Sequence, residues 1–175
     1  MSRTAPVAAA PRARASSDRW LRGAVVGMLM GLLLEYAVGM VVNLFVTIPL
    51  HHPGHDSGSF LTGAVAVVTW AIREGGALAI HASFGIVLAL SSVVVFGRTL
   101  ALRRRGLAWL TGIGALTVVG AGFNGASFLI FDYNQSSLVM AWLFALALLA
   151  YVLSLVRLPA ADPRDLLAPR AQDIG

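Results

Sequence analysis

Four stretches of the chain, about residues 23 to 47, 76 to 97, 107 to 131 and 137 to 156, stay apolar for roughly the 20 residues that a helix needs to cross a hydrocarbon core. Each predicts a transmembrane helix. Pro49 ends the first, whose apolar run is longer than the roughly 7 to 15 residues of a signal-peptide core, so it reads as a retained span. Between the first two lies a shorter apolar run, Phe60 to Ile72, about 20 Å long as a helix and too short for a core of about 30 Å. Thr62, Ala66, Thr69 and Arg73 share one of its faces, while Phe60, Ala64, Val67 and Ala71 share another. That pattern predicts an interfacial or re-entrant helix, with Gly75 and Gly76 as the joint into the second span.

Short connections at Asp132 to Ser136 and at the Arg-rich loop before residue 107 make the last three spans antiparallel neighbours. The predicted fold class is therefore all-α: a polytopic, four-transmembrane-helix, up-down-up-down bundle with a short interfacial helix in its first outer loop. Residues 1 to 19 read as a disordered, Arg/Ala/Pro-rich cytoplasmic tail, residues 20 to 157 as the transmembrane domain, and residues 158 to 175 as a second cytoplasmic tail. Gly112, Gly114, Gly120 and Gly122 in the third span and Ala141, Ala145, Ala147, Ala150 and Ser154 in the fourth read as helix-packing positions.

Inside the first span, small or polar residues recur at every fourth position: Gly23, Gly27, Gly31, Glu35, Gly39 and Asn43. Four-residue spacing keeps neighbours on one helix face with about 40° of drift per step, so consecutive members form a groove for another helix backbone. Over the whole ladder the drift reaches about 200°, and one partner cannot cover all of it. Gly27 to Gly39 are expected to pack on one neighbour with Glu35 tied into that contact, and Asn43 to turn toward the outer end.

Charge placement orients the bundle. All 13 basic residues are Arg, and 12 of them flank one set of span ends, leaving only Arg73 on the other side. Basic residues flanking spans stay on the cytoplasmic side, so both termini are predicted to be cytoplasmic and the 48 to 75 and 132 to 136 connections to face outward. Trp20 and Trp109 fit an inner aromatic belt, Trp70 and Tyr133 an outer one. A chain 58% hydrophobic and 12% charged is a membrane protein by composition, and its basic residues, split between a tail and a short loop, form no nucleic-acid surface. The absence of Cys excludes disulfides and thiolate metal sites.

Candidate chemistry lies in the outer half. Counted inward from the outer boundary, His81 lies roughly 8 Å deep, with Asn43 and Asn124 at similar depths on two other helices. Buried polar groups in lipid need partners, so these three are expected to face one another in an outer-leaflet polar site. Glu35, two ladder steps below Asn43, is expected to lie about 12 Å deeper and apart from them. As an ionisable group in a span it is a candidate proton carrier, or a protonated carboxyl hydrogen-bonded across a helix contact.

His81 followed one turn later by Gly85 would leave room for haem b, with His81 as one axial ligand and Met40 or a loop histidine as the other. Against this, a lone histidine in a span more often has a structural or proton-linked role. In the outer loop, His51, His52, His55 and Asp56 form a candidate Zn²⁺ or Cu²⁺ set, although His-Pro-Gly-His is also an ordinary polar turn.

The runs Leu34-Glu35-Tyr36-Ala37-Val38-Gly39-Met40-Val41-Val42-Asn43-Leu44, His81-Ala82-Ser83-Phe84-Gly85 and Gly122-Phe123-Asn124-Gly125-Ala126-Ser127-Phe128 together resemble small uncharacterised four-helix integral membrane proteins of Actinobacteria. The likeness spans about residues 20 to 157 and implies a bacterial cytoplasmic membrane, without assigning a role to any residue. Four-helix haem proteins carry more histidines within their spans than this chain does. The expected function is that of a small non-enzymatic or accessory membrane component with an outer-leaflet polar site, its partners the lipid bilayer and further copies or a larger membrane complex. The alternatives are a haem- or metal-binding redox protein using His81 and a small proton-linked transporter using Glu35.

Overall fold

The computed structural model describes residues 11 to 49, 51 to 55, 57 to 131 and 134 to 159. Five helices follow in chain order: α1 (Pro11–Phe45), α2 (Phe60–Glu74), α3 (Gly76–Ala101), α4 (Arg105–Phe131) and α5 (Asn134–Arg157). Four of them are long and apolar enough to cross a membrane, over Ala15–Phe45, Gly76–Ala101, Arg105–Phe131 and Gln135–Arg157. These match the expected spans to within a few residues except at the start. Helix α1 begins at Pro11, so residues 11 to 19 are helical rather than disordered. Proline is well placed in a helix's first turn, where the N–H it lacks would have no partner, and the Ala, Arg and Ser that follow do not break a helix. Asp18 then fastens this extension to the loop below α3, its Oδ1 2.6 Å from Arg104 Nη2. The remainder of both tails lies outside the described residues.

Helix α1 packs on α3 and α5, and α4 packs on the same two helices, so the four long helices close a ring in the order α1, α3, α4, α5. Glycine sets the closest approaches. A Cβ at Gly112 would stand 2.9 Å from Phe96 of α3, one at Gly114 2.9 Å from the Tyr151 ring, and one at Gly120 3.2 Å from Leu143 of α5. Of the expected packing positions in α4, only Gly122 has open space where its side chain would be. On α5, Ala147, Ala150 and Ser154 are buried, whereas Ala141 and Ala145 are exposed.

The core is apolar through the half of the bundle nearest the Arg-rich ends: Leu21, Val25, Met28 and Leu32 of α1 meet Leu88, Val95, Leu107, Val118, Ala147 and Tyr151. Buried hydroxyls within it return their hydrogens to their own helix, Ser92 to Ala89 O, Thr117 to Ile113 O and Ser154 to Ala150 O. Such back-bonding removes the cost of an unpaired donor among apolar side chains. One pair crosses between helices, with Thr99 Oγ1 and Thr111 Oγ1 2.8 Å apart.

Helix α2 lies against α3 and α4, burying Gly63, Val67 and Ala71 and exposing Leu61, Val65 and Ile72. The expected faces hold in part: Val67 and Ala71 are buried while Thr62, Thr69 and Arg73 are exposed. Gly75 and Gly76 form the joint to α3 with φ of 84° and 62°, values that favour glycine at both positions. At the other end of α3, Arg103 takes the left-handed position with φ 53°. Its N–H donates to Leu100 O and that of Arg104 to Thr99 O, the pairing of a helix C-terminus that glycine usually completes.

Candidate functional site

Glu35 and His81 meet. Helix α1 touches α3 in a register that runs from Gly31 against Leu88, through Glu35 against Gly85, to Gly39 against His81, so the two helices are antiparallel. Each ionisable residue therefore faces a glycine on the other helix, and each has its own glycine one turn further along. An ideal Cβ at Gly85 would stand 3.0 Å from Glu35 Oε1, and one at Gly39 3.1 Å from His81 Cε1. Two notches of the same construction, Glu35 with Gly39 and His81 with Gly85, fit into each other.

Within this clasp His81 Nδ1 and Glu35 Oε1 are 2.9 Å apart. The contact is a close electrostatic approach rather than an aligned hydrogen bond, and Nδ1 and the second carboxylate oxygen, Oε2, are both buried without a hydrogen-bond partner. Exposure is unequal across the pair: 11% for the Glu35 side chain and 28% for His81. The imidazole is thus the more accessible end. Toward the Arg-rich end the notch is closed, because Leu88 Cδ2 and Phe84 fill the space beside Gly31 and Leu32 is buried next to Glu35.

The expected partnership of His81 with Asn43 and Asn124 does not form. Asn43 is exposed on α1, and Asn124 donates its side-chain amide to Gly120 O of its own helix at 2.9 Å. No hydrogen bond joins the three among the described residues. The depth count failed first in register, since Gly39 and not Asn43 stands level with His81, which brings Glu35 one turn nearer than expected. The remaining offset of about one helical turn, 5.4 Å, is bridged by the two side chains, whose Oε1 and Nδ1 come within 2.9 Å.

The structure gives the haem expectation no support. The space against Gly85 holds the Glu35 carboxylate, and the Nδ1 edge of His81 is turned to that carboxylate. Met40 is exposed on the surface of α1. In the outer loop His51, His52 and His55 do gather, with ring centroids of His55 6.3 Å from His51 and 5.6 Å from His52 in edge-to-face arrangements. Yet His52 stacks on Trp70 at 4.8 Å, and no group of three His, Asp or Glu among the described residues is arranged to hold a metal. Through His52 the loop is tied to α2. Asp56 lies outside the described residues.

Sequence reasoning missed Tyr151, the largest fully buried side chain, whose ring fills the Gly114 notch. Its hydroxyl approaches Ser92 without completing an aligned hydrogen bond. An aromatic in an apolar span carries little signal by itself; the glycine facing it does.

Long apolar helices around an ionisable pair are consistent with a multi-pass membrane protein. No protein-family model, characterised protein or solved structure matches the chain.

Proposed function

We propose that this protein is a non-enzymatic component of the bacterial cytoplasmic membrane, an accessory subunit or self-associating protein whose functional centre is the Glu35–His81 clasp. It crosses the membrane four times in an up-down-up-down bundle with both termini in the cytoplasm, and α2 lies in the outer interface. Twelve of 13 arginines at one set of helix ends support that orientation. The exposed Leu61, Val65 and Ile72 on a helix too short to span support the placement of α2.

The observation that carries the reading is the clasp with its closed floor. A carboxylate and an imidazole meet in complementary notches, while Leu32, Phe84 and Leu88 separate them from the other half of the bundle. A transport path needs polar steps on both sides of such a pair, and here the next buried hydroxyls, at Ser92 and Thr117, are bonded back to their own helices. Proteoliposomes holding the purified protein should show no proton flux above that of empty vesicles under an imposed pH gradient. Native mass spectrometry from lipid nanodiscs should show more than one chain or a co-purified membrane partner. Flux that disappears in Glu35→Gln would overturn the reading in favour of a transporter, and a strictly monomeric, partner-free chain would overturn the accessory role.

A further inference from the structure

We propose that the Glu35–His81 clasp is a proton-binding site loaded from the outer aqueous phase alone. The inference rests on the non-transporting reading and adds a ligand and a side of access. His81 stands five residues inside the first residue of α3, Gly76, about 7.5 Å along the axis, while the other end of that helix is 20 residues away, about 30 Å. Exposure follows the same direction, with His81 more than twice as open as Glu35. Helices α1 and α2 both pack on α3, and their backbones make no close approach to each other. The 28% of the His81 side chain left uncovered lies within two turns of the outer end of α3. Inward, the Gly31 position is packed by Leu88 and Phe84, and the buried side chains Met28, Leu32, Val95 and Val118 continue the seal.

The chemistry is a single protonation. In the tautomer that keeps its hydrogen on Nδ1, beside an ionised Glu35, the ring nitrogen Nε2 accepts a proton from hydronium, leaving water behind and raising the charge of the pair from −1 to 0. Among the described helical residues, the other titratable or charged side chains in the outer half are Tyr36, exposed beside Glu35 on α1, and two on α2. On α2, Arg73 and Glu74 are exposed at its C-terminal end; Arg105 of α4, Tyr151 and Arg157 of α5, Arg98 of α3 and Arg19 and Arg22 of α1 lie in the opposite half. His51, His52 and His55 belong to the outer loop, and their signals have to be told apart from that of His81.

The test uses the full chain, ¹⁵N-labelled at histidine, in sealed vesicles whose two faces are set to different pH. His81 is assigned by difference from His81→Gln. Orientation is fixed independently by labelling Ser57→Cys and Arg104→Cys with a membrane-impermeant maleimide, which the natural absence of Cys makes specific. With one face held constant and the other stepped through the range in which imidazoles titrate, roughly pH 5 to 8, the His81 ring shifts should follow the face that carries the 51 to 55 loop. They should ignore the Arg104 face, and His81→Cys should label from the loop face while Leu88→Cys labels from neither. A response to the Arg104 face, to both faces, or to neither overturns the proposal. Reversed labelling of Ser57→Cys and Arg104→Cys in intact cells, with His81 still following the loop face, would instead refute the assigned topology.

Discussion

Removing either member of the Glu35–His81 pair should cost more than removing the second once the first is gone, and a double-mutant cycle measures that difference. Buried ion pairs lose about 3 to 5 kcal/mol when one partner is deleted, because the survivor is left unpaired. Interhelical polar contacts measured within membranes couple by only about 0.6 kcal/mol on average, with a maximum near 1.7. Two features place this pair between those limits. Its atoms are 2.9 Å apart and the carboxylate is nearly buried, which raises the coupling, but the contact is not an aligned hydrogen bond and His81 is 28% exposed, which lowers it. The expected coupling energy is therefore about 1 to 2 kcal/mol, with each single alanine variant destabilised by about 1 to 3 kcal/mol. Reversible unfolding of Glu35→Ala, His81→Ala and the double variant in mixed micelles, followed by helical circular dichroism, provides the four free energies. Effects that add to within about 0.3 kcal/mol, the behaviour of independent sites, would refute the interaction.

Gly114→Ala should destabilise the bundle by about 1 to 3 kcal/mol in the same assay, because its Cβ would stand 2.9 Å from a Tyr151 ring with no room to retreat. Gly27→Ala, with nothing within 4 Å of the added carbon, should be neutral or stabilising by up to about 1 kcal/mol. Equal effects of the two would contradict the packing described. Arg103→Gly should raise stability by about 1 kcal/mol by relieving a left-handed backbone at φ 53°, and a loss of stability would show that the arginine side chain outweighs that strain. Asp18→Asn should cost less than about 1 kcal/mol and the difference should fade in high salt, since Arg104 is partly solvated; a larger, salt-independent loss would mean the pair is more deeply buried than described.

The spans were legible because length and apolarity are properties of single segments. So were the Gly75–Gly76 joint and the approximate faces of α2, which follow from local periodicity. The pairing of α1 with α3 was not, since it depends on which faces of two distant segments meet. The clue lay in matched spacing: Glu35 and Gly39 on one helix, His81 and Gly85 on another, each an ionisable residue with a glycine four positions on. In antiparallel helices those two pairs can only satisfy each other in one register. Reading the first as a rung of a long ladder and the second as space for a cofactor separated residues that belong together. The ladder itself divides, with Gly31, Glu35 and Gly39 on α3 while Gly23 and Gly27 have open space beside them.

Solid-state NMR can measure the approach of His81 to Glu35 directly in a bilayer. Protein labelled with ¹⁵N at histidine and ¹³C at the glutamate side-chain carboxyl contains two glutamates and four histidines, and subtraction of the His81→Gln spectrum isolates the pair. Dipolar dephasing should place His81 Nδ1 within contact distance of the Glu35 carboxyl carbon, as an Nδ1 to Oε1 separation of 2.9 Å requires. Full-length dephasing times with no His81-dependent coupling would contradict the clasp and the site built on it.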